Sequence, residues 1–192
     1  MNHFFSLALS EEARQQAAKV AEAWASQLLP EQKAKWTAPE DYHLTLHFLG
    51  DLPEEAEADL IAAAIPVAAA TKPFELQLAE SGTFPHSRSP RVLWLGIRPC
   101  RPLQDLVLRL RDALETLGYP PEKRPLRPHI TLARCRTGHG EEAWTLPGEQ
   151  AFLKWTVARF ALLQTLSPES SANDVKGRYN SVHTFPFGGK LS

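Results

Sequence analysis

The spacing of apolar and polar positions changes period several times along the chain, and each change marks an element. Phe4-Phe5-Ser6-Leu7-Ala8-Leu9 reads as a strand. Ser10-Glu11-Glu12 then opens a helix running to about Gln27, with Ser10 as its N-cap. A loop punctuated by Pro30 and Pro39 follows, and then His43-Leu44-Thr45-Leu46. This tetrapeptide is polar at its first and third positions and apolar at its second and fourth, the period of a strand with one buried face. On such a strand His43 and Thr45 point the same way, about 6.7 Å apart along the backbone. Gly50-Asp51-Leu52-Pro53 turns into an alanine-rich helix ending near Ala70, and Phe74 to Leu78 alternates as another strand.

The pattern then starts again. Arg91 to Ile97 is a strand, followed by a helix from about Pro102 to Leu117 that Gly118 and Pro120-Pro121 close. A Pro- and Arg-rich loop leads to His129-Ile130-Thr131-Leu132, the first tetrapeptide repeated with one aliphatic exchanged for another. Leu7 to His43 and Leu93 to His129 are both 36 residues apart, which points to a duplicated strand–helix–loop–strand unit. Chance likeness of two amphipathic strands would have to explain four matched elements at equal spacing. Beyond the second copy the halves diverge. A loop from Gly138 to Gly148 leads to a strand region from Leu153 to Leu166, and a polar loop, Pro168 to Gly177, precedes a last strand from Tyr179 to Phe187. No Ser/Gly linker separates the halves. The expected fold is α+β: one bilobal domain over residues 1–192, with antiparallel sheets lining a central groove and helices outside. Two His-x-Thr strands brought face to face would supply two imidazoles and two hydroxyls to one cleft.

Composition narrows the class. At 43% hydrophobic residues, with nine Phe and five Trp, the chain can bury a substantial core. It has no apolar run long enough for a membrane span and no charged-then-apolar leader. Cys100 and Cys135 lack metal-ligand spacing, so free thiols in a cytoplasmic protein are expected. The net charge of −1 hides an asymmetry. Residues 1–83 carry five Lys/Arg against 13 Asp/Glu, a balance of −8, whereas residues 84–136 carry 11 against four, a balance of +7. A basic segment holding one histidine motif suggests a site for phosphate. Arg109 and Arg111 fall on the helix and read as a solvated face. Arg88, Arg91, Arg127, Arg134 and Arg136 are the better phosphate candidates.

The chain resembles the 2H phosphoesterase superfamily, and within it the RNA 2′,3′-cyclic phosphodiesterases, also called LigT-like 2′-5′ RNA ligases. The resemblance rests on Tyr42-His43-Leu44-Thr45-Leu46-His47-Phe48-Leu49-Gly50 and on Pro128-His129-Ile130-Thr131-Leu132-Ala133-Arg134. Phe84-Pro85, Pro90 to Trp94 and the closing Tyr179 to Phe187 support it, so it spans essentially the whole chain. His47 and Arg127 lie where the family is variable. Arg127 stays a candidate on position alone.

The resemblance implies hydrolysis of RNA 2′,3′-cyclic phosphate ends to 2′-phosphomonoesters, so the 3′ oxygen departs; we assign His43 as acid on that oxygen and His129 as base on water. Exchange of the two roles is left open by the near symmetry. Histidine suits both tasks near neutral pH. Thr45 and Thr131 are the expected donors to the phosphoryl oxygens, with Arg134 adding charge. With an RNA 5′-hydroxyl in place of water, the same displacement would form a 2′-5′ linkage without ATP. The absence of a P-loop glycine run agrees with that. RNA ends, tRNA fragments among them, are the expected partners of a monomer that needs no cofactor. Phe84, in a loop between Gly82 and Pro85, could stack on a nucleobase or pack in the core, whereas Phe48 reads as structural. His3, His86, His139 and His183 read as ordinary surface or core residues.

Readings from other classes remain. A metal hydrolase could use His43, His47 and His129, but on one strand the first two lie about 13 Å apart, too far to share an ion at about 2 Å. A phosphodiesterase for a small cyclic nucleotide would share the chemistry. A non-catalytic RNA- or nucleotide-binding module would have kept the groove and lost turnover.

Overall fold

The structure, a computed structural model, describes residues 1–28, 33–85, 91–119, 126–135, 153–166 and 177–188. Their elements run β1 (Asn2–Ala8), α1 (Glu11–Ser26), β2 (Ala34–Trp36), β3 (His43–Asp51), α2 (Glu57–Ala69), β4 (Phe74–Phe84), β5 (Val92–Ile97), α3 (Arg101–Glu115), β6 (His129–Cys135), β7 (Lys154–Val157), β8 (Arg159–Thr165) and β9 (Tyr179–Pro186). Arg88, Arg136, His86, His139, Pro120-Pro121 and most of the two late loops lie outside the described residues.

The helices follow from side-chain chemistry at the expected places. In α1, Ser10 Oγ accepts a hydrogen bond from the Ala13 amide at 3.1 Å, satisfying one of the orphan donors of the first turn. Ala13, Ala17, Val20, Ala21 and Trp24 form its buried stripe. In α3 the stripe is Leu103, Leu106, Leu110 and Leu114, each fully buried and each stabilising by about 1.5–3 kcal/mol. Gly118, at φ 85°, ends that helix: its amide donates to Glu115 and the Tyr119 amide to Leu114, the paired bonds of a Schellman stop. Arg109 is not simply solvated. Its guanidinium donates to the Ala70 carbonyl just past α2, so it caps one helix from the next. No helix among the described residues is long and apolar enough to cross a membrane.

All strand pairs among the described residues are antiparallel, in the order β7-β4-β5-β6-β3-β1-β8-β9, with β2 added to β6. The order mirrors about the β6–β3 junction, with β5 and β4 on one side answering β1 and β8 on the other. The two His-x-Thr strands are therefore not face to face as expected. They are hydrogen-bonded neighbours at the centre of one sheet, meeting at Leu44 and Ile130. The buried side chains form one continuous cluster, in which Leu44, Leu46, Ile130 and Leu132 of the two strands join the leucines of α3 and Trp24 of α1.

Three further expectations change. Ala34–Trp36, read as loop, is a strand against β6, a run too short to show a period of its own. The strand region Leu153 to Leu166 is two strands broken at Ala158: β7 pairs with β4 and β8 with β1, at opposite ends of the strand order. One residue cannot span a flat sheet, so the sheet curls until its two wings meet there, where the Trp155 indole donates to the Ala8 carbonyl. Finally, β4 runs on to Phe84, which lies at a strand end opposite Val92 rather than in a loop.

Candidate active site

Counting back from Leu44 and Ile130 sets His43 across from Thr131 and Thr45 across from His129. Leu44 and Ile130 point into the core, so all four polar side chains share the other face. The structure thus brings together the four residues on which the chemistry was expected to rest.

The two imidazoles are held alike. His43 Nδ1 lies 2.7 Å from the Asp41 carbonyl and His129 Nδ1 lies 2.6 Å from the Arg127 carbonyl, in each case the residue two before it. A carbonyl oxygen only accepts, so each Nδ1 carries the proton and donates it. The neutral form then keeps its lone pair on Nε2. Each ring also has an aromatic seat. Phe4 stacks on His43 with centroids 4.8 Å apart, and Tyr179 meets it edge-on at 5.1 Å. Phe84 meets His129 edge-on at 5.1 Å and itself stacks on Trp94 at 5.1 Å. Phe84 accordingly packs as part of the wall behind His129. Trp94 lies over Gly82 on the neighbouring strand, where a Cβ would collide with the indole.

Burial lowers the pKa of both histidines from the ordinary 6.5. For His43 the hydrogen bond to the Asp41 carbonyl and the Asp41 charge oppose this, while the positive charges of His129 and Arg134 add to it. For His129 the bond to the Arg127 carbonyl opposes it and Arg134 adds to it. Burial also raises the Tyr179 phenol, which stays an O–H donor beside His43. Both shifts favour the neutral imidazole at pH 7.

Arg134 reaches the site through a β-bulge. Strict alternation from His129 and Thr131 would put Ala133 on the groove face and Arg134 on the core face. Leu93 pairs with Ala133 and Trp94 with Thr131, so Leu132 is an extra residue, and the alternation inverts after it. Ala133 is fully buried and Arg134 is exposed on the groove face. The first copy carries the same bulge at Leu46, between the pairs Ser6–Thr45 and Phe5–His47. It carries His47 away from the face of His43, and it leaves Phe48, expected to be structural, 49% exposed at the position that answers Arg134.

Arg91 is exposed at the start of β5. Its carbonyl accepts from the Cys135 amide, and with Val92 opposite groove-facing Arg134 the register sets Arg91 beside Cys135, so it does not bring Arg91 onto the face of the histidines. Arg127 is exposed and contributes to the site through its carbonyl. Sequence reasoning missed Asp41, Phe4, Trp94 and Tyr179. The buried Asp41 carboxylate accepts from the Arg178 amide and so ties the approach to β9 to the turn that orients His43. The spacing of Asp41 and Arg127, each two residues before a histidine, was the available signal. Burial pushes the Cys135 thiol up to about 11, too high for a nucleophile at neutral pH. Among the described residues no cluster of three or more His, Cys, Asp or Glu gathers as a metal site.

A cavity of 420 Å³ continues from His43 across the groove face of β1, β8 and β9. It is within the size of small-ligand sites.

Residues 6–169 match the family model of the 2′-5′ RNA ligase superfamily. The chain is 33% identical over 189 residues to an RNA 2′,3′-cyclic phosphodiesterase of Geobacillus stearothermophilus, covering 96% of this chain and 57% of that protein. Likeness to the enzyme of the same name from Thermus thermophilus is 32% over 187 residues, covering 94% of this chain and 90% of that one. Among solved structures, Escherichia coli LigT complexed with 3′-AMP superimposes with a TM-score of 0.76 at 30% identity, covering 98% of both chains. The Geobacillus protein is thus substantially longer than this chain, while the other two are of similar extent.

Proposed function

The chain belongs to the 2′-5′ RNA ligase superfamily, and from that premise we propose that it opens RNA 2′,3′-cyclic phosphate ends to 2′-phosphomonoesters by acid–base catalysis between His43 and His129. The observation that carries this reading is the matched pair of imidazoles on adjacent strands. Each is fixed by an Nδ1–H bond to a carbonyl two residues earlier, with Nε2 left for the substrate.

The reaction needs one proton taken and one given. His129 Nε2 accepts a proton from water as the water oxygen bonds to phosphorus. The P–O3′ bond breaks on the opposite side, and His43 Nε2–H supplies the proton to O3′. The anionic phosphate raises the proton affinity of the nearby imidazoles, which offsets the lowering by burial and lets His43 be protonated in the complex. Thr45 and Thr131, set diagonally between the two rings, donate to the non-bridging oxygens, and Arg134 balances their charge. With an RNA 5′-hydroxyl in place of water, the same displacement yields a 2′-5′ linkage without ATP.

The test is incubation of the purified protein in EDTA with RNA ending in a 2′,3′-cyclic phosphate, with the products resolved as 2′- or 3′-phosphate. A 2′-phosphate formed at full rate in chelator is expected. Activity lost in EDTA and restored by a divalent ion would replace the two-histidine mechanism with a metal site, and binding without turnover would leave a nucleotide-binding module.

A further inference from the structure

The groove face beyond His43 is built as a trough lined by two cations, Arg14 and Arg159. Ala8 pairs with His43 on one flank, and Ser6 pairs with Thr45 on one flank and Ala161 on the other. Continuing that last register by two residues sets Arg159 beside Ala8. His43, Ala8 and Arg159 thus form a row across three adjacent strands, with the outer two Cα atoms about 10 Å apart. The middle residues of both rows are small, and their lack of bulk is what opens the 420 Å³ cavity between His43 and Arg159. Arg14, the only arginine in the acidic first 83 residues, enters the same cavity from α1.

The two guanidinium groups are incompletely used. Arg159 makes no ion pair or hydrogen bond among the described residues, and Arg14 bonds Glu11 through one nitrogen while its buried Nε has no partner. The hydroxyls of Ser181 and Thr184 add neutral donors to the lining. The cavity also has two carboxylates. Asp41 is already engaged by the Arg178 amide, and Glu40 is exposed at the rim. Arg159 on β8 and the two hydroxyls on β9 stand across β1 from the turn that holds His43, while Arg14 comes from α1, the helix that packs on that turn.

We propose that this cavity is a second-phosphate subsite, which grips the 5′-phosphate of the nucleotide whose cyclic phosphate lies between the histidines. The inference rests on the proposed function, in which His43 protonates the departing ribose oxygen. The ribose then lies on the His43 side of phosphorus, and its 5′ substituent extends over Ala8 toward Arg159. An RNA end always carries a phosphate at that 5′ position, whereas a free nucleoside 2′,3′-cyclic phosphate does not, so the subsite selects polynucleotide ends.

Two substrates differing only in that group test it: cytidine 2′,3′-cyclic phosphate with and without a 5′-phosphate. The phosphorylated form is expected to have a kcat/KM higher by on the order of tenfold or more. Arg159→Ala, at an exposed position where folding is little affected, should bring the ratio close to one, with Arg159→Lys intermediate and Arg14→Gln acting in the same direction. The corresponding products, cytidine 2′-phosphate and cytidine 2′,5′-bisphosphate, are compared by calorimetric titration, a readout independent of turnover. An affinity ratio that collapses in Arg159→Ala would sustain the subsite even if neither cyclic substrate were hydrolysed, in which case only the proposed function fails. Equal affinity of the wild-type protein for both products would overturn the subsite, as would a ratio unchanged by both arginine substitutions. So would a preference that appears only when a second nucleoside is added, which would make the cavity a base pocket.

Discussion

A neutral imidazole whose Nδ1–H is tied to a carbonyl can take a proton only at Nε2, and burial makes it reluctant to do so. From the lowered pKa values of His43 and His129, the bell-shaped profile of kcat/KM against pH should have its maximum on the acid side of 6.5. A rate that climbs steadily to high pH would point to hydroxide or another base. The same shifts act on stability. Each folded-state value lies below that of the unfolded chain, so the stabilisation is complete above about pH 6.5 and is lost as pH falls through the folded value. His43→Ala should therefore gain in Tm relative to wild type between pH 7 and pH 5, as read by thermal melts. In turnover, His43→Ala and His129→Ala should each lose nearly all activity while remaining folded. Thr45→Ala and Thr131→Ala should each lose roughly 10²–10³ in kcat, one donor's worth. Near-normal rates in one histidine variant would show that the two-fold likeness of the strands is not a likeness of roles.

Elements determine whether those residues meet. The seat of His129 is built from β4 and β5, where Trp94 closes over Gly82 and Phe84 stacks on Trp94. Gly82→Ala cannot be accommodated without moving the indole, so near-UV circular dichroism should change and kcat should fall although no reacting group has been touched. An unchanged spectrum and rate would mean that the Phe84–Trp94 wall does not position the histidine. On the helix face, buried His3 lies 2.9 Å from Glu57 of α2 and 3.2 Å from Gln164 of β8, linking three elements. His3→Ala should cost about 1–3 kcal/mol by leaving these partners unsatisfied, measured by urea denaturation, with kcat unaffected. The bulges at Leu46 and Leu132 are as consequential as any side chain, since deleting either residue would reverse which neighbours face the groove.

Across the whole molecule the two halves are not independent. α1 packs on β6 and α3 on β3, each helix against the strand of the other half, and the break at Ala158 ties β4 to β1 through one stretch of chain. Unfolding in urea should consequently be a single transition, coincident by tryptophan fluorescence and by far-UV circular dichroism. Two separated transitions would mean that the shared core does not couple the lobes.

Period-two alternation, written twice, was enough to identify His43, Thr45, His129 and Thr131 as side chains on one face of two strands, because the apolar residues between them leave no other orientation. The Ser10 cap of α1 and the Gly118 stop of α3 were legible for the same reason: their chemistry is local, complete within a few residues. What needed the fold was everything that depends on a partner strand. Alternation alone sends Arg134 into the core, and only the register against β5 shows the extra residue that turns it outward. The side-by-side placement of the two motifs, the division of residues 153–166 at Ala158 and the cavity over Ala8 likewise follow from hydrogen bonds between segments far apart in the chain. A sequence pattern states which face a residue prefers; which faces meet is decided when distant strands pair and one core is buried beneath them.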